Sequence, residues 1–441
     1  MSTSAEAPLF RAWPSGSGAA TTVHAGHVAL AIGFGRTFSW ELSAITTWSF
    51  DRAVTAVEST TQTQMVVLTD EPAHLAPHRA AVPRLIVQPF NLAALRKVWR
   101  IRATSLMPQD SVWFRFALIT SYIERHCSAA ELVLLFDLKD VLFQASPFEL
   151  APRSSATGRA KGALTSFTEA FPVRRGSWNH KAMLNFKDVN GTMLLIDEIV
   201  RRQPLSLNSG LLLGPPHVVC EHTRRITLAV LQIMPLPKDA FMGVDQGAHN
   251  LLVYGAMSST TPVGSPWGTK AESKGSGAND QHHIVAMNLQ GTAPVLTMHM
   301  IDPLLYTCDD VDTNRPGSSV FRLRSNRSGA PYVMVHQWNR APETVQRALL
   351  CHHRHLLSLS HLSCGPRTAC MPFRPEKSLV PQEEREILHK LSFPSLWQKM
   401  CPKSTGCKTD TDMAVRLRAT PNAGPAVAGD HSDRDRYEKR Q

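Results

Sequence analysis

Short runs of apolar residues separate polar stretches along the first third of the chain. Four of these runs have the length and composition of strands that are buried on both faces. They cover residues 27–34, 65–69, 85–88 and 132–136. The pattern therefore predicts four strands of one sheet.

A helical pattern lies between the third and fourth of these runs. In residues 111–127, the apolar side chains Val112, Phe116, Ile119 and Ile123 recur at spacings of four, three and four. Such spacing places them on one buried stripe of a helix. Asp110 precedes the stripe and is expected to cap the start of the helix.

Strands alternating with a helix in this order are typical of an α/β fold. We expect a doubly wound, Rossmann-like and mostly parallel central sheet that is flanked by helices. Sheets of this kind bind their ligands in the crevice outside the carboxyl ends of the strands.

Composition divides the chain into four parts. Residues 1–22 are small and polar, which predicts a disordered N-terminal segment. The globular texture covers 23–345, and it is interrupted at 257–283 by a stretch rich in Gly, Ser, Thr and Pro that predicts a long surface loop. A Cys- and His-containing extension over 346–409 and a polar, disordered tail over 410–441 are expected to follow.

The net charge of +11 favours anionic partners such as phosphates. Nucleic acid is not expected, because no stretch interleaves basic and aromatic residues as single-strand platforms do. No run reaches the roughly 18 apolar residues that a membrane span needs. Membrane association is therefore expected only through an N-terminal anchor that would lie outside this sequence.

Five of the eight cysteines lie in the last quarter of the chain. Cys364 and Cys370 lie six positions apart, as do Cys401 and Cys407, and this spacing favours small disulfide loops. The alternative is a zinc site, since histidines at 352, 353 and 355 lie beside Cys351. The two-residue spacing of zinc knuckles is absent, which disfavours zinc.

The strongest chemical signal is a pair of acids at the end of the fourth apolar run. Asp137 follows residues 132–136 directly, and Asp140 comes three positions later. A buried carboxylate needs a compensating partner. A divalent cation that is shared with a phosphate would supply one. The alternative is structural: Asp137 caps a turn, and Asp140 forms an ion pair with a neighbouring arginine.

Three later segments carry polar groups at the ends of apolar elements. Residues 208–210, Asn-Ser-Gly, predict a tight turn that enters a buried strand, and 243–250 place an acid and an amide at the start of a helix. His336 ends the apolar run 332–335. A histidine in this position is also common as a purely structural residue.

The succession of these motifs resembles a family of GT-A nucleotide-diphospho-sugar transferases. The order is an acidic pair followed by Val-Leu-Phe-Gln and Pro-Phe, then Asn-Ser-Gly, then Asp-Gln-Gly with His-Asn, then His-Gln-Trp-Asn-Arg. Arg115-Phe116 and Trp178-Asn179 also match the family. The resemblance covers about residues 60–345 and implies a GT-A glycosyltransferase domain with a nucleotide-binding half and an acceptor-binding half.

The resemblance also implies roles for single residues. Asp140 would bind Mn²⁺ or Mg²⁺, and Asp137 would contact the cation or the ribose of a nucleotide-diphosphate sugar. His336 would be the third metal ligand, and Arg115 would lie on the donor side. The catalytic candidates follow in a group: Asn208 near the transferred sugar, Asp245 on the acceptor side, and Gln246 supporting it.

This sequence departs from the common pattern in two places. Two residues separate Asp137 from Asp140 where the usual acidic tripeptide has one, so which of them binds the metal directly stays open. Lys139 stands where the family usually has arginine, which disfavours a phosphate role for it.

The stereochemistry of transfer is left open by the sequence. An inverting reaction needs a carboxylate base, for which Asp245 is the candidate. In a retaining reaction the leaving phosphate could take the proton while Asn208 or Gln246 orients the substrate, and the family's late histidine leans toward retention.

Two other functions remain compatible with the motifs. One is a metal-dependent phosphoryl-transfer or hydrolytic enzyme using Asp137 and Asp140, although no GxxxxGK[ST] loop is present. The other is an inactive scaffold that binds sugar nucleotides. A transferase would take a glycan or protein acceptor. The family resemblance and the sequons at Asn190 and Asn326 favour the Golgi lumen, whereas the lack of a visible signal favours the cytosol.

Overall fold

The computed structural model describes residues 24–34, 40–58, 62–92, 108–151, 163–234 and 243–258, with shorter stretches between 236 and 368. The strands are β1 Gly26–Gly33, β2 Gln64–Thr69, β3 Leu85–Pro89, β4 Ala130–Asp137, β5 Val141–Phe143, β6 Leu164–Pro172, β7 Leu205–Gly214, β8 Ile284–Met287, β9 Val295–Thr297, β10 Tyr306–Cys308, β11 Val311–Asp312, β12 Leu323–Ser325, β13 Met334–His336 and β14 Arg367–Thr368. The helices are α1 Trp40–Thr55, α2 Ala76–Ala81, α3 Pro108–His126, α4 Trp178–Leu184, α5 Thr192–Arg202, α6 Pro216–Gln232 and α7 Val244–Met257, and short 3₁₀ turns span Pro72–Leu75 and Pro147–Leu150.

In the part of the chain that the structure describes, seven strands form the central sheet, in the order β3-β2-β1-β4-β7-β6-β8. The first four are parallel to one another, and β6 and β8 are also parallel to each other. Strand β7 alone in this sheet runs antiparallel to both of its neighbours, β4 and β6. The predicted α/β fold with a mostly parallel central sheet is confirmed.

The sheet is buried on both faces, which explains why its first four strands read as continuous apolar runs. On β4, Val133 and Leu135 join a core that contains side chains of α3, α6 and α7. Leu134 and Phe136 point the other way, into a core with α1 and β5. Helices α3, α6 and α7 therefore cover one face of the sheet, and α1 with β5 covers the other.

A smaller three-stranded sheet, β5-β13-β9, stands beside the carboxyl end of β4. Two hydroxyls of α1 fasten β5: Thr46 donates to the Val141 carbonyl at 2.7 Å, and Ser49 accepts from the Phe143 amide at 3.1 Å. Strand β13 pairs antiparallel with β5 and places His336 opposite Val141. This register brings the last residue of β13 next to the residue that follows Asp140.

Two local predictions were wrong. Residues 208–210 lie inside β7 rather than in a turn, because their polar groups find partners in the protein and need not break the strand. Helix α3 begins at Pro108, so Asp110 lies within its first turn and does not precede it. The four predicted strands, by contrast, match β1 to β4 to within two residues at each end.

Several predictions fall on residues that the structure does not describe. These are the predictions for residues 1–22 and 410–441, for most of the 257–283 loop, for most of the 346–409 extension with its cysteine pairs, and for the sequon at 326. Among the described cysteines, Cys127 and Cys220 are buried free thiols. Within the described part of the chain, none of the helices has both the length and the apolar character needed to cross a membrane.

Candidate functional site

Two acids and one histidine meet at the carboxyl end of β4. Asp137 is the last residue of β4, Asp140 ends the turn that leads into β5, and His336 ends β13. His336 and Asp140 are buried, whereas the Asp137 side chain is 25% exposed. The site thus opens to solvent on the Asp137 side.

The three side chains are close enough to share one cation. Nε2 of His336 lies 3.2 Å from Oδ2 of Asp137 and 3.6 Å from Oδ1 of Asp140. One ligand atom from each residue lies within 4.8 Å of the others. Neighbouring ligands of an octahedral ion with bonds of about 2.1 Å lie about 3 Å apart, so these separations fit Mg²⁺ or Mn²⁺.

Backbone geometry holds the imidazole in this position. Gln337, directly after His336, has φ of 57°, a left-handed conformation that costs a non-glycine residue about 1 kcal/mol or more. The turn lets the amide of Trp338 donate to the Asp140 carbonyl at 3.3 Å. The end of β13 is therefore tied to the turn that carries the second acid.

Arg115 of α3 connects the acidic pair to the start of α7. Its Nη1 contacts Oδ1 of Asp137, and its Nη2 donates to Oδ2 of Asp245 at 3.0 Å. Ser209 of β7 also donates to Oδ2 of Asp245, at 2.8 Å. The guanidinium of Arg115 thus holds the carboxylates of both Asp137 and Asp245.

These contacts shift the pKa values of the groups involved. Burial would raise the pKa of Asp137, but Arg115 and His336 outweigh it and hold that pKa well below its ordinary range. For Asp245, burial outweighs Arg115, and its pKa is raised. Burial would lower the pKa of His336, yet the hydrogen bond to Asp137 and the charge of Asp140 raise it. In the metal-free protein, His336 therefore keeps its proton to a higher pH than an ordinary histidine does.

A second cluster surrounds Glu169 of β6, which is only 7% exposed. Its carboxylate accepts hydrogen bonds from four side chains: Ser206 at 2.8 Å, Gln246 at 3.1 Å, Asn208 at 3.2 Å and Asn179 at 3.4 Å. Sequence reasoning missed Glu169. No local signal marks Glu169, because polar residues interrupt the apolar positions around it.

Asn208 links the Glu169 cluster to the acidic pair. Its Nδ2 lies 3.0 Å from Nδ1 of His336, and its Oδ1 accepts from the Gly210 amide at 2.6 Å. Gly210 itself leaves room for Asp137, since a Cβ there would lie 2.1 Å from Oδ2 of that carboxylate. Only glycine allows Asp137 and β7 to approach so closely.

The structure thus gathers the residues that the sequence singled out. The three expected metal ligands form one cluster, and Arg115, Asn208 and Asp245 contact it directly or through one another. Gln246 lies farther back, bound to Glu169 and to Oδ1 of Asn179 at 2.8 Å. An ion pair with an arginine is present at Asp137, which contacts Arg115.

The chain is similar to solved structures of glycosyltransferases. One is the galactosyltransferase LgtC in complex with donor and acceptor sugar analogues, with 13% identity, a TM-score of 0.39, and coverage of 81% of this chain and 99% of that one. An active-site mutant of LgtC is 12% identical with a TM-score of 0.38, and the match covers 85% of this chain and 100% of that one. The bifunctional glycosyltransferase WbbM, without ligand, is 12% identical with a TM-score of 0.32, and the match covers 52% of this chain and 37% of that one.

No family model matches the sequence. No curated protein matches it either.

Proposed function

We propose that this chain is a divalent-metal-dependent GT-A glycosyltransferase that moves a sugar from a nucleotide-diphosphate sugar to a hydroxyl of a glycan or protein. The observation that carries the proposal is the convergence of Asp137, Asp140 and His336 at the carboxyl end of β4. Ligands of α/β sheets bind at such strand ends.

The two carboxylates and the imidazole would hold the cation, and a donor diphosphate would complete its shell. A bound cation stabilises the negative charge that develops on a leaving phosphate. One imidazole among carboxylates favours Mn²⁺ over Ca²⁺, which prefers oxygen ligands throughout.

Arg115 acts as a positioning residue in this proposal. It keeps Asp137 ionised and fixes its direction through the contact with Oδ1, which leaves Oδ2 facing His336. The same guanidinium holds Asp245, so a single side chain sets the distance between the metal ligands and the start of α7.

The partners of Asp245 favour a retaining reaction. Asp245 is 2% exposed, and its Oδ2 accepts from both Arg115 and Ser209. A carboxylate oxygen that is buried and already accepts two hydrogen bonds is poorly placed to take a proton from an acceptor hydroxyl. In the retaining route, the leaving phosphate would take the proton while Asn208 and Gln246 orient the sugar.

The Glu169 cluster supplies the rigidity that such orientation needs. Glu169 binds both Asn208 and Gln246, which come from β7 and α7. Amide groups fixed on two different elements by one buried carboxylate lose little freedom when substrate binds. We therefore place Glu169 among the positioning residues.

A melting experiment tests the proposal. The purified chain would be heated with Mn²⁺ alone, with each of a panel of nucleoside diphosphates alone, and with both. Ligands that bind the folded state raise its melting temperature. For a transferase of this kind, Mn²⁺ together with one nucleoside diphosphate should raise it by more than the sum of the shifts that each ligand causes alone. Stabilisation by Mn²⁺ alone, unaffected by any nucleotide, would favour the hydrolytic alternative.

A further inference from the structure

An exposed tryptophan lies beside the candidate site. Among the described residues, the exposed large hydrophobic side chains are Val57, Trp178, Met193, Leu194 and Met257. Trp178 is the aromatic member of that group, with 42% of its surface exposed. Aromatic side chains usually bury most of their large area, so an exposed indole needs an explanation.

The indole of Trp178 is held in place rather than left loose. It lies over the backbone of Gly243, where an added Cβ would be 2.0 Å from the Cη2 atom of the indole. Phe241 meets it edge to face, with 5.6 Å between ring centroids. The side chain of Asn185 fastens Phe241 through two hydrogen bonds to its backbone, of 2.8 and 2.9 Å.

The position of Trp178 connects it to the Glu169 cluster and to α7. Its chain neighbour Asn179 accepts a hydrogen bond from Gln246 and donates one to Glu169. Gly243, under the indole, comes two residues before Asp245. The exposed ring therefore lies at the end of α7 that carries Asp245 and Gln246.

A sugar ring fits this surface better than an apolar partner does. A pyranose presents C–H groups on one face and hydroxyls at its edge, and its C–H groups are attracted to the negative face of an aromatic ring. Among the described residues, the exposed side chains close to Trp178 along the chain are basic rather than apolar: Arg174, Arg175 and Lys181. A membrane or a hydrophobic protein surface would need a wide apolar patch.

We propose that Trp178 is the platform on which the acceptor sugar stacks, so that the acceptor of this enzyme is a carbohydrate rather than a bare polypeptide. This inference rests on the proposed glycosyltransferase function and deepens it by naming the acceptor class. Phe241, Gly243 and Asn185 serve to hold the platform.

The kinetic test compares Trp178→Ala and Trp178→Phe with Leu194→Ala, which removes an exposed apolar side chain from α5. Each protein would be assayed with a sugar nucleotide, Mn²⁺ and a panel of oligosaccharides. We expect the acceptor KM to rise about tenfold in Trp178→Ala, as for the loss of one aromatic stacking contact, and to change little in the other two. An unchanged acceptor KM in Trp178→Ala would overturn the inference.

Binding of Mn²⁺ and nucleoside diphosphate separates this inference from the proposed function. If the wild type binds neither Mn²⁺ nor any nucleoside diphosphate, the proposed function fails. If Trp178→Ala binds both ligands normally, its higher acceptor KM results from the loss of the indole platform. A direct probe covers the case in which Trp178→Ala misfolds: saturation-transfer NMR of methyl glycosides with the wild type and Mg²⁺. Saturation of the C–H face of one glycoside supports the platform, whereas saturation of a serine peptide and of no glycoside overturns it.

Discussion

Replacing Glu169 by glutamine tests how the site is positioned. Its Oε2 accepts from three side chains, Ser206, Asn179 and Gln246, and its Oε1 accepts from Asn208. A glutamine can present its oxygen to only one of these groups of donors. In the better orientation, its NH₂ group faces Nδ2 of Asn208, which is 3.2 Å from Oε1 in the wild type.

Two opposing free energies set the size of the effect. A buried donor that faces another donor costs about 1–3 kcal/mol, and weaker bonds from the other donors to a neutral acceptor add to this. The lower cost of burying a neutral amide works in the opposite direction. We expect the free energy of unfolding to fall by about 2 kcal/mol.

The larger effect is expected on transfer. Asn208 must turn away from the new NH₂ group, and it then loses its contact with His336 and its hydrogen bond from the Gly210 amide. Loss of such supporting contacts lowers metal affinity or activity by about 10- to 100-fold.

The assay measures urea unfolding and kcat for Glu169→Gln, with Glu149→Gln as the matched control because Glu149 is exposed. The control should stay within about 0.5 kcal/mol of the wild type. Wild-type stability together with wild-type kcat in Glu169→Gln would refute the positioning role.

Three further predictions follow from the same geometry. Gly210→Ala should weaken Mn²⁺ binding by about tenfold, because its Cβ displaces Asp137, and calorimetric titration would measure this; unchanged affinity would contradict the close approach. Because the pKa of His336 is raised, Mn²⁺ competes with a proton for the imidazole. Calorimetry in two buffers at about pH 6.5 should therefore detect proton release when Mn²⁺ binds, and Mn²⁺ affinity should fall on acidification. His336→Asn should lose both effects, and their persistence would exclude His336 as a ligand. Burial lowers the pKa of His222 and of its partner His249, the latter to about 3. Below about pH 6.5 these histidines are therefore protonated in the unfolded chain but not in the folded one, so the free energy of unfolding should fall as the pH drops. The urea midpoint at pH 7 and pH 5 measures this loss, and an equal loss in His249→Gln would show that the pair is not its source.

The first four strands could be predicted because they are buried on both faces. Strand β6 could not, since Thr165, Ser166, Thr168 and Glu169 interrupt its apolar residues. Glu169 is tolerated in the interior because neighbouring elements supply hydrogen-bond donors for its carboxylate. The same fact explains why Glu169 was missed: nothing in one sequence indicates which distant donors will meet it.

The cluster of Asp137, Asp140 and His336 was easier to predict than the residues that support it. Asp137 and Asp140 follow an apolar run, and a strand-end acid is visible in sequence. His336 follows another such run, although its closeness to Asp140 depends on the pairing of β13 with β5, over a separation that no local pattern reveals. The bridge from Arg115 to Asp245 likewise joins residues 130 positions apart.

Release of nucleoside diphosphate from sugar nucleotides tests the central claim most directly. The wild type would be incubated with Mn²⁺, a panel of sugar nucleotides and a glycan mixture, beside Asp140→Ala and the control Asp188→Ala, which changes an exposed aspartate. We expect Mn²⁺-dependent release of nucleoside diphosphate from at least one donor in the wild type and in the control. Asp140→Ala should release none. It should remain folded, because the change removes a ligand rather than core volume. Release that persists in Asp140→Ala at saturating Mn²⁺, or its absence from the wild type with every donor, would contradict the account.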